Sequence, residues 1–408
     1  MLREPRDGTP QPLCTLEELA AAASGLAAGH GPVAIDAERA SGYRYSQRAQ
    51  LVQLRRAGFG TVLIDPIALP DLSSIDAALV DAEWILHAAN QDLACLAEVG
   101  MRPRRLFDTE VIGRLLGSER VALGTMVQQY LGIALEKGHS AADWSTRPLP
   151  ADWLNYAALD VELLIELREV LLAELDKSGK REWAEQECQA ILVAEPPAQR
   201  SDPWRRTSGI HGLRDRRQLG MVQTMWEARD LMAAERDIAP GRVLPDAAIV
   251  AAVRANPRRA ADLSALAVFS GPKQRRLATY WFSALSEGRD LPDGKLPPHS
   301  QASTDPDPMP TPARWRDKDP DAALRLAACK DTVATIAELH QVLSQNLLAG
   351  DVVRRMAWRP VKPLTDVNVR ARLVGLGARP WQINLLATPL AAALSASAVP
   401  PGDPPPLS

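Results

Sequence analysis

The sequence predicts an α/β sandwich around a mixed sheet, followed by two all-helical bodies. Three observations carry that expectation. Strand-like runs over residues 32–66 lead into strand and helix signals that alternate to about residue 176. Beyond residue 213 only helical periodicity is visible, and two proline-rich stretches separate the parts. A strand meander that continues into alternating strands and helices builds a mixed sheet with helices packed on it. At 408 residues the chain exceeds one ordinary domain.

The first expected element is a helix in "TLEELAAAASGLAA", where Thr15 and Glu18 fit a capping box. Glu17 and Glu18 interrupt this Ala-rich run, which therefore does not read as a signal peptide. "PVAID" (32–36), "AQLVQLRR" (49–56) and "FGTVLIDP" (59–66) read as strands, the last two joined by a tight Ala57-Gly58 turn. A helical stretch near 71–80 precedes the strand "EWILHA" (83–88). Helices follow at 90–99, 109–117 and 123–131, then one long helix from about 151 to 176. In "PDAAIVAAVRANP" (245–257), Asp246 is the expected N-cap and Pro257 the stop.

Residues 194–212 and 290–315 are rich in proline and poor in large apolar side chains, so they are expected to be linkers. The tail from 396 to 408 is expected to be disordered for the same reason. The bodies thus span 12–193, 213–289 and 316–395, without a short-period repeat. With 46% apolar and 24% charged residues the chain reads as globular. No apolar run is long enough to span a membrane. Four scattered cysteines without a C-x-x-C argue against a disulfide framework or a zinc site and fit a reducing cytoplasm. Residues 1–199 carry 18 basic and 29 acidic side chains, a net −11, whereas residues 200–290 carry 16 and 10, a net +6. That split suits a cation-binding part joined to a polyanion-binding part, although unrelated domains also differ this much.

The chemistry is concentrated in "VAIDAERA", an apolar run that places Asp36 and Glu38 two residues apart. Strand side chains alternate, so both carboxylates face one way, and two like charges there call for a positive partner such as a metal. Asp92 in "HAANQDLACL" sits in the first turn of a helix after a strand, where an acid also simply favours the helix dipole. Tyr156 and Asp160 in "LNYAALDVELLIEL" share a helical face. Asp160 lies among apolar neighbours and needs a partner, either an arginine or a cation. His87 reads as a packing or hydrogen-bonding residue and Asp108 as an N-cap. Trp144 and Arg147 of "DWSTRPLP" either meet a substrate or are structural; Gln91, Arg275 and Arg276 are weaker candidates for substrate contact.

Together, D-x-E on a strand, an Asp after a second strand and Y-x-x-x-D on a late helix resemble the DEDD superfamily of 3′→5′ exonucleases. The tyrosine matches its DEDDy branch; the histidine-bearing branch would place His where this chain has Asn155. "HAANQDL", "FDTEVIGRLLG", "DWSTRPLP" and "YAALDVELL" are similar to the ribonuclease D family in particular, over about residues 30–185. "MWEARDLMAAERDIAPGRVLPDAAIVAAVRANP" resembles the helical HRDC module. The third body, ending "GLGARPWQINLLATPLAAAL", fits a second, divergent HRDC-like domain by position and helical content.

The resemblance implies an RNase H-like exonuclease domain followed by two all-α HRDC-type domains. It also implies a metal-dependent 3′–5′ exoribonuclease that trims 3′ ends of structured RNA, such as transfer RNA precursors, and releases 5′-mononucleotides. On this reading Asp36, Glu38, Asp92 and Asp160 hold two divalent ions, Mg²⁺ or Mn²⁺, with Asp36 best suited to bridge them. Tyr156 orients the attacking water, because an ordinary phenol is too weak a base near neutrality. The implied partner is RNA with a free 3′ end; no protein partner is inferable. Two other readings stand beside it: a DNA exonuclease of the same superfamily, and a catalytically inactive RNA-binding adaptor. Lost ligands would mark the adaptor, and no signature position is empty. The chain has no G-x-x-x-x-G-K-[ST] phosphate loop and so carries no helicase motor motif.

Overall fold

The computed structural model describes residues 1–136, 138, 141–195, 200–213, 215–300 and 307–396. Its sheet comprises β1 (Pro12–Leu13), β2 (His30–Arg39), β3 (Ala49–Ala57), β4 (Gly60–Ile64), β5 (Trp84–Leu86) and β6 (Leu106–Asp108). Their order is β1-β4-β3-β2-β5-β6. The β2–β3–β4 meander is antiparallel, and the other pairings are parallel, so the sheet is mixed. The β3–β4 turn falls at Gly58-Phe59, one residue later than expected, and Gly58 takes a φ of +84° that favours glycine there.

Around the sheet lie α1 (Leu16–Ala28), α2 (Ser73–Ala78), α3 (Leu93–Glu98), α4 (Thr109–Leu115), α5 (Leu123–Leu131), α6 (Ala151–Glu162), α7 (Leu164–Ser178) and α8 (Arg181–Leu192). The capping box at Thr15 and Glu18 is formed. The expected single helix over 151–176 is two helices, broken at Leu163. Val161, Glu162, Leu163 and Leu164 are all buried, and four consecutive residues cannot share one helical face. The break lets α6 lie over β2, β3 and β4 while α7 packs on β2 and β5. Strands β1 and β6 carry no sequence signal strong enough to predict them. They are two and three residues long and exist by pairing with β4 and β5.

The second body contains α9 (Arg216–Arg236), α10 (Pro240–Val243), α11 (Asp246–Ala255), α12 (Ala260–Ser264), α13 (Pro272–Arg276) and α14 (Ala278–Asp290) around its own core. Pro245, not Asp246, is the N-cap of α11. The Asp246 carboxylate instead accepts from the Ser208 amide at 2.8 Å and pairs with the buried Arg229 at 2.6 Å. The stretch expected to be a linker before this body also contributes to it, since Trp204 and Ile210 are buried in its core.

The third body contains α15 (Trp315–Lys318), α16 (Pro320–Leu339), α17 (Ser344–Leu347), α18 (Gly350–Trp358), α19 (Asp366–Gly375) and α20 (Pro380–Ala396). Its core is continuous with that of the first body. Trp381 stacks on Trp183 of α8 with centroids 4.5 Å apart. The expected disordered tail lies outside the described residues from 397 onward.

Candidate active site

The register of β2 decides what the acids face. Ile35 and Ala37 point into the main core, whereas Asp36 and Glu38 point to the opposite face, beneath α6. That second face has its own small apolar cluster, including Leu51, Leu63, Trp144 and Leu154. Helix α6 lays Tyr156 and Asp160 across it, one turn apart. One ligand atom each from Asp36, Glu38 and Asp160 lie within 4.8 Å of one another. All three line a cavity of about 430 Å³, together with Asp92, Tyr156, His87 and Gln91. The five residues singled out in the sequence thus converge on one cavity from β2, α6 and the start of α3.

Asp92 occupies the N-cap position of α3, yet its side chain makes no capping hydrogen bond. Its carboxylate instead meets Arg39, Nη2 to Oδ1, at 3.4 Å. The turn that presents it is held by Asp108, which accepts from the amides of Ala88 at 3.1 Å and Ala89 at 2.8 Å. Ala88 there adopts a left-handed φ of 61°, a conformation that surrounding structure must impose on a non-glycine residue. Asp108 also caps α4 through the amides of Glu110 and Val111, as expected, so one buried carboxylate organises two chain reversals.

Burial acts strongly on the cluster. Desolvation raises Asp36, lifts Glu38 and Asp160 well above the ordinary carboxylate range, and pushes Asp92 up to about 8. The charge of Asp36 adds to the rise of the other three. Such a set is stable as anions only beside a concentrated positive charge. Its hard oxygen donors fit a divalent cation of the Mg²⁺, Mn²⁺ or Ca²⁺ kind. Tyr156 donates a hydrogen bond to Asp160, and burial with the neighbouring acids raises its phenol further.

Gln53, opposite Asp36 on β3, donates from Nε2 to Asp36 Oδ2 at 2.7 Å and is fully buried. Sequence reasoning missed it; a glutamine set between Val52 and Leu54 was the available signal. His87 bonds Thr109 at 2.8 Å, and burial lowers its pKa to about 4, so it is neutral near pH 7. Arg147 is structural: it grips Asp65 through Nε at 2.7 Å and Nη2 at 2.9 Å and donates to the Gln50 and Trp144 carbonyls. Trp144 is fully buried. Arg275 and Arg276 are exposed on α13 and are not among the residues lining the cavity.

The second body closes on the rim. The β2–β3 loop contributes Ser41, Gly42 and Tyr43 to the cavity. Arg242 stacks over the Tyr43 ring at 3.8 Å and donates from Nε to the Gly42 carbonyl at 2.8 Å. The amide of Ala239 donates to the Tyr43 carbonyl, and Asp237 receives the Ser46 amide.

Three family models match the chain. A 3′-5′ exonuclease model covers residues 10–176, an HRDC domain model 218–285 and a 3′ to 5′ exonuclease C-terminal domain model 308–394. Ribonuclease D of Granulibacter bethesdensis is 30% identical over 369 residues, spanning 88% of this chain and 89% of that protein. The chain belongs to the ribonuclease D family. Its members are 3′–5′ exoribonucleases, and so is this protein. Ribonuclease D of Escherichia coli is 30% identical over 270 residues, 65% of this chain and 71% of that one. Its crystal structure, described as that of an exoribonuclease involved in structured RNA processing, superposes with a TM-score of 0.67 at 26% identity, covering 95% of this chain and 98% of that one. A Bifidobacterium adolescentis protein superposes with a TM-score of 0.90 at 36% identity, covering 97% and 99%. Family exonucleases depend on divalent metal, which agrees with the acidic cluster. No helix among the described residues is long and apolar enough to cross a membrane.

Proposed function

We propose that Asp36, Glu38, Asp92 and Asp160 bind two divalent ions, Mg²⁺ or Mn²⁺, and with Tyr156 form the hydrolytic centre. The observation that supports this most is the convergence of three carboxylates within 4.8 Å in a cavity that Asp92 and Tyr156 also line. Bound there, the ions would supply the Lewis acidity that makes water nucleophilic near neutral pH and offsets charge on the departing 3′ oxygen. Gln53 holds Asp36 in orientation, and Asp108 sets the turn that delivers Asp92. Tyr156, its phenol raised by burial and anionic neighbours, keeps its proton and orients water rather than accepting a proton.

The substrate is RNA with a free 3′ end, in structured molecules such as transfer RNA precursors, shortened to release 5′-mononucleotides in the cytoplasm. The family membership and the processing role described for the Escherichia coli enzyme support this. The bodies are an exonuclease domain at 12–193, an HRDC domain at 213–289 that also takes in Trp204 and Ile210, and a second, divergent HRDC-like domain at 316–395. The family-model spans and the helical content of the last two support that division.

A denaturing-gel time course on a 5′-labelled, 3′-extended transfer RNA precursor tests the reading, with a matched DNA strand alongside and Mg²⁺ or Mn²⁺ added or withheld. Metal-dependent shortening of RNA from the 3′ end, abolished in a folded Asp92→Asn variant, is the expected result. Normal turnover by that variant would remove the metal-site assignment. Faster loss of DNA would overturn the substrate, and RNA binding without cleavage would favour an inactive adaptor.

A further inference from the structure

The cavity with four carboxylates also holds one guanidinium. Arg39 follows Glu38 at the end of β2, and among the described lining residues it is the sole lysine or arginine. Its Nη2 lies 3.4 Å from Asp92 Oδ1, with the arginine side chain 24% exposed and the aspartate 6%. Its Nε is buried without a hydrogen-bond partner among the described residues. A guanidinium in its permanent seat makes paired, short contacts, as Arg147 does on Asp65 at 2.7 and 2.9 Å. Arg39 makes one long contact to a carboxylate and leaves a buried donor unused. It is therefore held by charge more than by shape.

Two electrostatic consequences follow from its position. Its positive charge acts on Asp36, Glu38 and Asp92 together, so it competes with any cation those acids would bind. A phosphodiester entering the same cavity meets four acids, and Arg39 is the lining side chain able to offset that repulsion and to donate to a phosphate oxygen.

We propose that Arg39 exchanges partners, resting against Asp92 while the cluster lacks metal and turning to a substrate phosphate oxygen once metal occupies the acids. The proposal rests on the metal-site reading above and adds the group that couples metal loading to RNA binding. Arg39 has opposite effects on the two ligands: it weakens metal binding and strengthens RNA binding.

The test uses the full chain as wild type, Arg39→Gln and Arg39→Lys. Isothermal titration with Mn²⁺ reads metal affinity, and initial rates on a 3′-tailed oligoribonucleotide at saturating Mn²⁺ read KM and kcat. Arg39→Gln should bind Mn²⁺ on the order of tenfold more tightly while KM for RNA rises on the order of tenfold, with a smaller change in kcat. Arg39→Lys, which keeps the charge, should retain wild-type metal affinity and recover part of the KM. A distorted cavity would weaken both ligands, so opposite signs separate the exchange from structural damage. Unchanged or weaker Mn²⁺ binding by Arg39→Gln, with the wild type titrating normally, overturns the exchange, and so does an unchanged KM. Should the wild type take up no more Mn²⁺ than a Glu38→Gln control, the metal-site reading itself fails and this proposal with it.

Discussion

Replacing Arg242 with alanine should loosen the second body from the rim of the catalytic cavity without unfolding either body. Arg242 supplies a stacked contact to Tyr43 at 3.8 Å and a hydrogen bond to the Gly42 carbonyl at 2.8 Å. An exposed cation–π contact contributes about 0.5–1 kcal/mol, and a hydrogen bond from a charged donor about 1.5 kcal/mol at the low end that suits an exposed side chain. Their sum of about 2 kcal/mol shifts the balance between docked and undocked rim by roughly thirtyfold. Contacts made by Ala239, Asp230 and Asp237 to the same loop remain. Because the second body has a core of its own, its melting temperature should barely move. Amide hydrogen exchange over residues 40–48 should accelerate, and KM for RNA should rise several-fold with kcat less affected. Arg242→Lys, which retains charge but not the planar stack, should lie between. Unaltered exchange in that loop together with an unaltered KM would refute the idea that the second body shapes the cavity wall.

Gln53→Leu removes the donor that orients Asp36, and loss of such a supporting contact typically weakens metal binding by about 10–100-fold; Mn²⁺ titration of the folded variant checks this. The raised carboxyls predict a pH effect in metal-free protein. Asp92, pushed up to about 8 when folded, titrates near about 4 unfolded, so the folded state holds a proton the unfolded chain has lost. Its contribution is full below about pH 4 and is lost as pH rises through about 8. In EDTA, the melting temperature of the wild type should therefore fall relative to Asp92→Asn between those limits, and a gap that stays flat with pH would contradict it. Trp381→Ala removes the stack on Trp183 and the Nε1 hydrogen bond to Glu187 at 2.9 Å. Truncating a buried tryptophan costs about 3–5 kcal/mol, so in calorimetry the third body should melt ahead of the first, whereas in the wild type the two, sharing one core, should melt together.

Local patterns marked much of the site. Asp36 and Glu38 break an apolar strand, and Tyr156 and Asp160 stand one helical turn apart, so strand and helix periodicity alone pair each couple. Asp92 was harder to read, because an acid at a helix start has an ordinary use; its carboxylate makes no cap bond. The double duty of Asp108 was invisible for a different reason. Its bonds to Ala88 and Ala89 span about twenty residues, and only the pairing of β5 with β6 brings them together. Gln53 stood out as a polar residue between Val52 and Leu54, but its partner became legible only through the register that sets it opposite Asp36.

What the sequence determined by itself was whatever rests on short-range regularity: the meander, the capping box at Thr15, the helical bodies and which acids share a face. Those features depend on neighbours within a few residues, whose chemistry is written side by side. Tertiary structure alone decided the break at Leu163, the strands β1 and β6, the docking of Arg242 on Tyr43 and the meeting of Arg39 with Asp92. Each depends on groups brought together by packing, where burial of a continuous core outweighs the preference of any single segment.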